Sequence, residues 1–333
     1  MQRILILLAT IALGLGEPPQ NEPGSVFAPT EDSPATIPTP PTTPTPPTLI
    51  EGEFSTYIFD YVSDETWDRL AGMGVKRSFF VTEWDFLAPG GAEMIRGVSK
   101  DQRYLLGLTP YDLDLLQAKI LEVATLAQEF PEIWDPLICL NYEDPLPHLW
   151  WLGDNEQAKE DAFALYARVM GRAMSVLDLE GDVKLGGWGA AMCGRGNKQP
   201  VPWRVAAGRL GSCLHLTGYM RFESVPEWDW LHAQIEAGLA AGFDPADIRV
   251  WIAPYGLEDR IQFGTPELVE IGRILGEYGV GAVYYDDRLF RDMGVQWGEV
   301  PEPAVQKAFD ARVMRSISAL IRGMNEGAGG GKE

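Results

Sequence analysis

Apolar residues first fall into repeating register near Thr56, and from there two periods alternate along the chain. Short runs with a strand's two-residue alternation or continuous apolar character occur at Thr56–Val62, Lys76–Thr82, Leu137–Tyr142, Val183–Trp188, His215–Arg221, Ile248–Ala253 and Gly281–Asp286. Between them lie stretches with the 3.6-residue period of an amphipathic helix: Asp64–Met73, Asp112–Phe130, Asn155–Leu177, Val201–Gly211, Glu227–Gly242 and Pro266–Gly279, with Pro303–Met324 closing the series. Glycines stand where helices should stop, as in Gly74-Val75-Lys76 and Gly242-Phe243-Asp244. A strand followed by a crossover helix returns to the sheet in parallel, so the pattern predicts an α/β fold, a (β/α)7–8 barrel of the TIM type over residues 51–324. Tyr104–Leu108 is the candidate for an eighth strand. The competing fold, an open doubly wound sheet, lacks the glycine-rich phosphate turn that its nucleotide-binding versions carry after the first strand.

The residues before Thr56 read differently. Arg3 followed by the apolar run Ile4–Gly16 has the length of a secretory signal, too short to cross a bilayer, with Gly14 and Gly16 placed for cleavage before Glu17. Residues 17–50 hold eleven prolines and seven threonines, a composition that cannot bury apolar surface and favours extended chain. The expectation is therefore a signal peptide (1–16), a disordered linker (17–50), the barrel, and a disordered glycine-rich tail (325–333). The product would be secreted, periplasmic or on the cell surface, with no membrane insertion beyond an uncleaved signal anchor.

Charge and chemistry narrow the function by exclusion. A net charge of −21 argues against binding nucleic acid or anionic lipid. His148, His215 and His232 are never at metal-ligand spacing, no phosphate-cradling loop or Gly-x-Ser-x-Gly elbow occurs, and no metal or cofactor is expected. Cys139, Cys193 and Cys213 allow one bridge at most, with Cys193–Cys213 the candidate pair.

Barrel enzymes place their chemistry at the carboxyl ends of the strands. Here those ends carry Asp60; Glu83 and Trp84; Asn141, Tyr142 and Glu143; Trp188; Tyr219 and Arg221; Tyr255 and Glu258; and Tyr284, Tyr285, Asp286 and Asp287. Carboxylates for proton transfer, with aromatic rings for stacking on sugars, are what glycosidic cleavage uses. In Leu137–Pro145 (LICLNYEDP), strand parity sets Leu137, Cys139, Asn141 and Glu143 on one face. Glu143 is the candidate general acid and Asn141 the residue orienting substrate, with Asp286, Glu258 or Glu83 as base or nucleophile. Asp60, Glu83, Trp84, Tyr142, Trp151, Trp188, Tyr219, Tyr255 and Tyr284 are the candidate sugar contacts.

That strand end resembles the Asp-x-Glu strand end of hyaluronidase-like glycoside hydrolases. Lys184–Ala191 (KLGGWGAA) and Gly272–Asp287 (GRILGEYGVGAVYYDD) are similar to that family's next glycine–aromatic strand and its closing helix–strand unit. The resemblance implies a barrel of about seven strands in which the Glu donates a proton and the Asp orients the substrate's acetamido group. Glu143 matches the first role, and Asn141 stands where the Asp would be. The sequence thus points to a secreted glycoside hydrolase acting on a glycan. The alternative is a non-catalytic carbohydrate-binding barrel, which the Asn141 replacement favours.

Overall fold

Local chemistry starts and stops the elements where the sequence places them. Ser63 accepts the Thr66 backbone N–H ahead of Asp64 and Glu65, which favours a helix start, and α1 runs Asp64–Gly72. Asp112 caps the next long helix by accepting the N–H groups of Asp114 and Leu115. Gly279 ends another in a left-handed conformation (φ 67°) that a side chain would strain. In the computed structural model, the described residues are 54–57, 62–142, 156–178, 180–188, 192–194, 198–218, 227–255, 262–286 and 301–330. The chain divides into units 1–44 and 45–333, and the described residues all belong to the second.

The strands are β1 (Phe54–Tyr57), β2 (Lys76–Arg77), β3 (Phe80–Thr82), β4 (Leu137–Asn141), β5 (Lys184–Gly187), β6 (Leu214–Thr217), β7 (Ile248–Ile252) and β8 (Gly281–Tyr285). The remaining helices are α2 (Gly91–Arg96), α3 (Leu113–Glu129), α4 (Glu156–Met174), α5 (Pro202–Gly208), α6 (Trp228–Ala240), α7 (Thr265–Tyr278) and α8 (Pro303–Gly330). Every strand pair is parallel. The mixed α/β class read from the sequence is therefore present. The ladders, however, form two sheets in the orders β2-β1-β8-β7-β6 and β3-β4-β5, not one closed ring.

Two local features explain the interruptions. The second expected strand is broken at Ser78–Phe79, so that β2 and β3 belong to different sheets; the Cys139 N–H still donates to Phe79 O at 3.0 Å. At the other seam Ser212 N–H donates to Leu185 O at 2.9 Å, and glycines bring the backbones together. A Cβ on Gly186 would lie 2.3 Å from Cys213 O, and one on Gly211 would lie 2.7 Å from Leu185 O.

Two further expectations are corrected. Tyr104–Leu108 is not a strand: Lys100–Leu106 is a 3-10 turn stopped by Gly107 at φ 58°, and Leu105 is 68% exposed, unlike a strand buried on both faces. The glycine-rich tail is helical through Gly330, and Gly327 within it is a packing surface. A Cβ on Gly323 would meet Val269 O at 2.0 Å and one on Gly327 would meet Arg273 O at 2.2 Å. On the facing helix, Gly272 and Gly276 approach Leu320 O and Met324 O at 2.1 and 2.2 Å in the same sense. Helices α7 and α8 thus meet backbone to backbone along two Gly-x-x-x-Gly rows.

Apolar side chains sort by strand parity. Ile248, Val250, Ile252, Ala282 and Tyr284 pack outward with α6, α7 and α8 residues, and Ile138, Leu140 and Tyr142 pack outward with those of α3 and α4. The opposite faces of both sheets share one small cluster: Cys139, Trp251 and Val283, with Phe80, Trp188 and Tyr285 half-buried against it. Beneath it, Arg249 of β7 reaches across to Asp135, just before β4, with Nε–Oδ2 at 2.8 Å and Nη2–Oδ1 at 3.0 Å and neither side chain exposed by more than 1%. Asp135 Oδ1 also accepts the Leu137 N–H, and the Asp135 N–H donates to Arg77 O. One carboxylate residue therefore links β2, β4 and β7. Among the described residues no helix is long and apolar enough to cross a membrane.

Removing one partner of a buried, two-point ion pair strands a charge, so Arg249→Ala should lower the unfolding free energy by about 3–5 kcal/mol. Arg249→Lys should recover only part of it, because an ammonium cannot make both bonds in one plane. Denaturant midpoints check this; an Arg249→Ala variant as stable as the parent would contradict it. The helix seam gives a paired test. Gly276→Ala should destabilise by about 2 kcal/mol through overpacking. Gly171→Ala, exposed in the last turn of α4 with nothing within 4 Å, should stabilise by about 0.5 kcal/mol.

Candidate functional site at the carboxyl ends of the strands

The register of β3 on β4 sets Thr82 opposite Asn141, and the Trp188 N–H donates to Leu140 O at 2.9 Å, so three strand ends stand side by side. After β3 the chain turns at once: Asp85 Oδ2 accepts both the Thr82 N–H (2.7 Å) and its hydroxyl (3.0 Å). That capping arrangement starts the turn Glu83–Phe86. It leaves Glu83 buried, at 8% exposure, and Trp84 on the surface at 51%. Of this expected pair, the carboxylate is buried at the end of β3 and the indole lies on the surface.

Asn141 is buried on the face that also carries Cys139, as the alternation required. Tyr142, the next residue, is turned to the helix side. It packs against Tyr166 (centroids 6.1 Å), Tyr111 (5.2 Å) and Phe86 (6.1 Å) and is 2% exposed, so the expected sugar contact is a core ring. The same two-residue period corrects Tyr284 and Asp286. Both are fully buried toward α8: the Tyr284 hydroxyl donates to Asp286 Oδ2 at 3.1 Å, and Arg312 Nε lies 3.3 Å from that oxygen. Burial and then the Asp286 carboxylate push the Tyr284 hydroxyl well above its ordinary pKa. Asp286 is thus an ion-paired strand–helix tie, engaged away from the face where a base would act.

Tyr255 is 6% exposed and forms an antiparallel bridge with Gln262. Trp188 is where the sequence placed it, half-buried and edge-on to Phe80 at 6.1 Å. Phe80 in turn lies 4.9 Å from Trp251, and Trp251 lies 5.9 Å from Tyr285. Phe80, Trp188 and Tyr285 are thus half-exposed rings from three strands, gathered over buried Trp251, with Asn141 and Glu83 at the same end of β3 and β4. Phe80 was missed as a site residue, and Tyr284 was chosen over Tyr285 at the end of β8, although parity with Thr82 and Val283 marks Phe80 and Tyr285 as inward. Glu143, Asp60, Trp151, Tyr219 and Glu258 lie outside the described residues.

No protein-family model matches the chain, and no curated protein matches it. Among solved structures it is similar to bee venom hyaluronidase, at 9% identity over 82% of this chain and 100% of that chain, with a TM-score of 0.48. At that distance activity has to be argued from the side chains.

Below the aromatic floor the polar groups are satisfied. Trp251 Nε1–H donates to His215 Nδ1 at 3.0 Å, and His215 Nε2 faces Ile138 O at 3.1 Å. A carbonyl only accepts, so the imidazole is the neutral Nε2–H tautomer. Burial lowers its pKa to about 4; nearby Asp135 opposes the shift, Arg249 adds to it, and the Ile138 carbonyl opposes it. Cys213 Sγ lies 3.6 Å from Nε2. Burial, followed by the proximity of Cys213, raises the Cys139 thiol, which makes it a poor nucleophile. All three cysteines are free and buried. Cys193 and Cys213, which the sequence left able to pair, are not bridged: Cys193 turns under α6, its thiol donating to Ala233 O at 3.2 Å.

The unfolded chain takes up the His215 proton near pH 6.5, the folded chain only near pH 4. Stability from this group is therefore complete above about pH 6.5 and lost as the pH falls toward 4, by up to about 3 kcal/mol at ~1.4 kcal/mol per pKa unit. Denaturant unfolding at pH 7 and pH 4.5 should show a larger loss in the wild type than in His215→Gln. Carboxylates titrate in both proteins, so equal losses would remove His215 as the source.

Proposed function

We propose that this protein is an exported glycosidase-type enzyme whose two sheets are arcs of a single (β/α) barrel, with a sugar-binding mouth at the carboxyl ends of the strands. The observation that carries the reading is the floor of Phe80, Trp188 and Tyr285. Half-exposed rings contributed by both sheets offer apolar faces on which the C–H face of a pyranose can stack, while Asn141 and Glu83 supply hydrogen-bonding groups beside them. The barrel reading is supported by side chains of both sheets meeting in one inner cluster and by the Asp135–Arg249 tie across it. Export rests on the signal-like residues 1–16.

In this mechanism Glu143 protonates the leaving-group oxygen as the glycosidic bond breaks. In the sequence it follows Asn141 by one strand repeat, two positions on. Asn141 orients the substrate, and Glu83, buried at the end of β3, is the second carboxylate, acting on the anomeric carbon as nucleophile or as the base that activates the attacking water. Asp286 takes no part. A second reading, a barrel that binds glycans without cleaving them, is favoured by the engagement of Asp286 with Arg312 and Tyr284 and by an amide at position 141.

The test is hydrolysis of a panel of unactivated glycans by the full chain and by Glu143→Gln. The enzyme reading expects turnover that falls by about two to four orders of magnitude in the variant, the usual worth of general acid catalysis. Equal turnover excludes Glu143 from the mechanism, and binding without turnover by the wild type establishes the second reading.

A further inference from the structure

Between the start of α7 and the first third of α8, just past the carboxyl end of β7, the structure has a cavity of about 350 Å3. It lies on the helix side of the strands, where Phe263 and Leu268 give it an apolar wall continuous with the outer core. Gln262 and Thr265 bring an exposed amide and hydroxyl to its edge. Among the described residues its charged lining is two arginines of α8, Arg312 and Arg315, and no carboxylate. Residues three apart on a helix share a face, so these two cations lie side by side and repel. Arg312 is 9% exposed and meets Asp286 through Nε at 3.3 Å, while Nη1 and Nη2 make no hydrogen bond among the described residues. Arg315 is exposed and has neither a hydrogen bond nor an ion pair among them. The chain carries 48 acidic residues against 27 basic ones, and Arg172, Arg249 and Arg273 each hold a carboxylate. Two adjacent guanidinium groups with free donors are therefore a departure from how this protein treats its cations.

We infer that this cavity binds a phosphate or sulfate group carried on a small organic molecule of about the size of a sugar. A guanidinium offers paired N–H donors that match two oxygens of such a group. Arg312 presents its terminal amino groups while Nε stays on Asp286, Arg315 meets the anion from the exposed side, and the Thr265 hydroxyl and Gln262 amide are further donors. The carbon skeleton lies on Phe263 and Leu268, the mix of apolar wall and a few polar groups that small-molecule sites use. Ser316, also on the wall, is engaged with the Tyr284 hydroxyl and adds nothing. Glu267, in the first turn of α7, opposes the anion. Its Oε2 lies 2.7 Å from where a Cβ on Gly264 would stand, and it pairs with neither arginine. It answers the positive end of the α7 dipole, so the attraction comes from the two arginines and not from the helix start. Binding here requires no glycosidase activity, and the site stands or falls apart from the reading of the mouth.

The experiment titrates the full chain calorimetrically, at low ionic strength, with glucose 6-phosphate, glucose 6-sulfate, inorganic phosphate and glucose. The wild type should bind one of the two anionic sugars saturably and at least about tenfold more tightly than inorganic phosphate, which leaves the apolar wall uncovered. Arg315→Ala should weaken that binding by about tenfold or more, the scale of a charge-assisted hydrogen bond. Without ligand the variant should melt no lower than the wild type, because it removes a like-charge repulsion from an exposed position. Arg172→Ala, an equal change of net charge on α4, should bind as the wild type does. Glucose, whose uptake at the mouth is a separate matter, should give the same heat with wild type and Arg315→Ala. No binding of either anionic sugar, or binding that Arg315→Ala leaves intact, overturns the inference. Inorganic phosphate bound as tightly as the sugars overturns the organic part of it.

Discussion

The arrangement of the inner face depends on the buried pair of Asp135 and Arg249. Two charges withdrawn from water this completely incur a desolvation cost of several kcal/mol each, repaid only if geometry and further hydrogen bonds are close to ideal. Here the guanidinium bonds both carboxylate oxygens and the carbonyls of Ala246 and Ile248, and the carboxylate accepts a backbone N–H as well. A lateral shift of either sheet would break a two-point contact, not merely stretch it. The pair therefore fixes the register of one sheet against the other, which hydrogen-bond ladders do not do in this fold. The Phe80–Trp251 contact, made between side chains of different sheets, depends on that register.

Glycine does the complementary work where backbones must come close. Gly186 and Gly211 let β5 approach β6 without a continuous ladder, and the rows at 272/276 and 323/327 let α8 lie directly on α7. The second seam places Arg312 and Ser316 over the end of β8, where they hold Asp286 and Tyr284 outward. Tyr285 then takes the inward position beside Trp251. Thus a backbone contact between two helices helps decide which of two adjacent tyrosines faces the site.

Much of this was legible in the sequence because period alone separates strand from helix: each of the seven apolar runs overlaps a strand, though Thr56–Val62 shares only Thr56–Tyr57 with β1, and the helices between them lie within a few residues of their expected ends. The site was less legible for a specific reason. Parity was applied to Leu137–Glu143 and placed Cys139 and Asn141 correctly, but at the other strand ends residues were chosen by chemical type. The same rule would have turned Tyr142, Tyr284 and Asp286 outward and brought in Phe80 and Tyr285. Gly-x-x-x-Gly in the tail looked like disorder because composition does not reveal a partner helix 50 residues away in sequence. Nor does composition reveal the Asp135–Arg249 pair, since neither residue lies in a recognisable motif.

The central claim is that rings from both sheets form one sugar-stacking floor at the carboxyl ends of the strands. Titrating neutral oligosaccharides into the full chain, with wild type and Trp188→Ala compared by calorimetry, tests it most directly. The account predicts saturable binding by the wild type and a loss of at least about tenfold in affinity in the variant, the scale of one stacking contact. Unaltered affinity in Trp188→Ala, or no binding by the wild type across a broad panel, would contradict it.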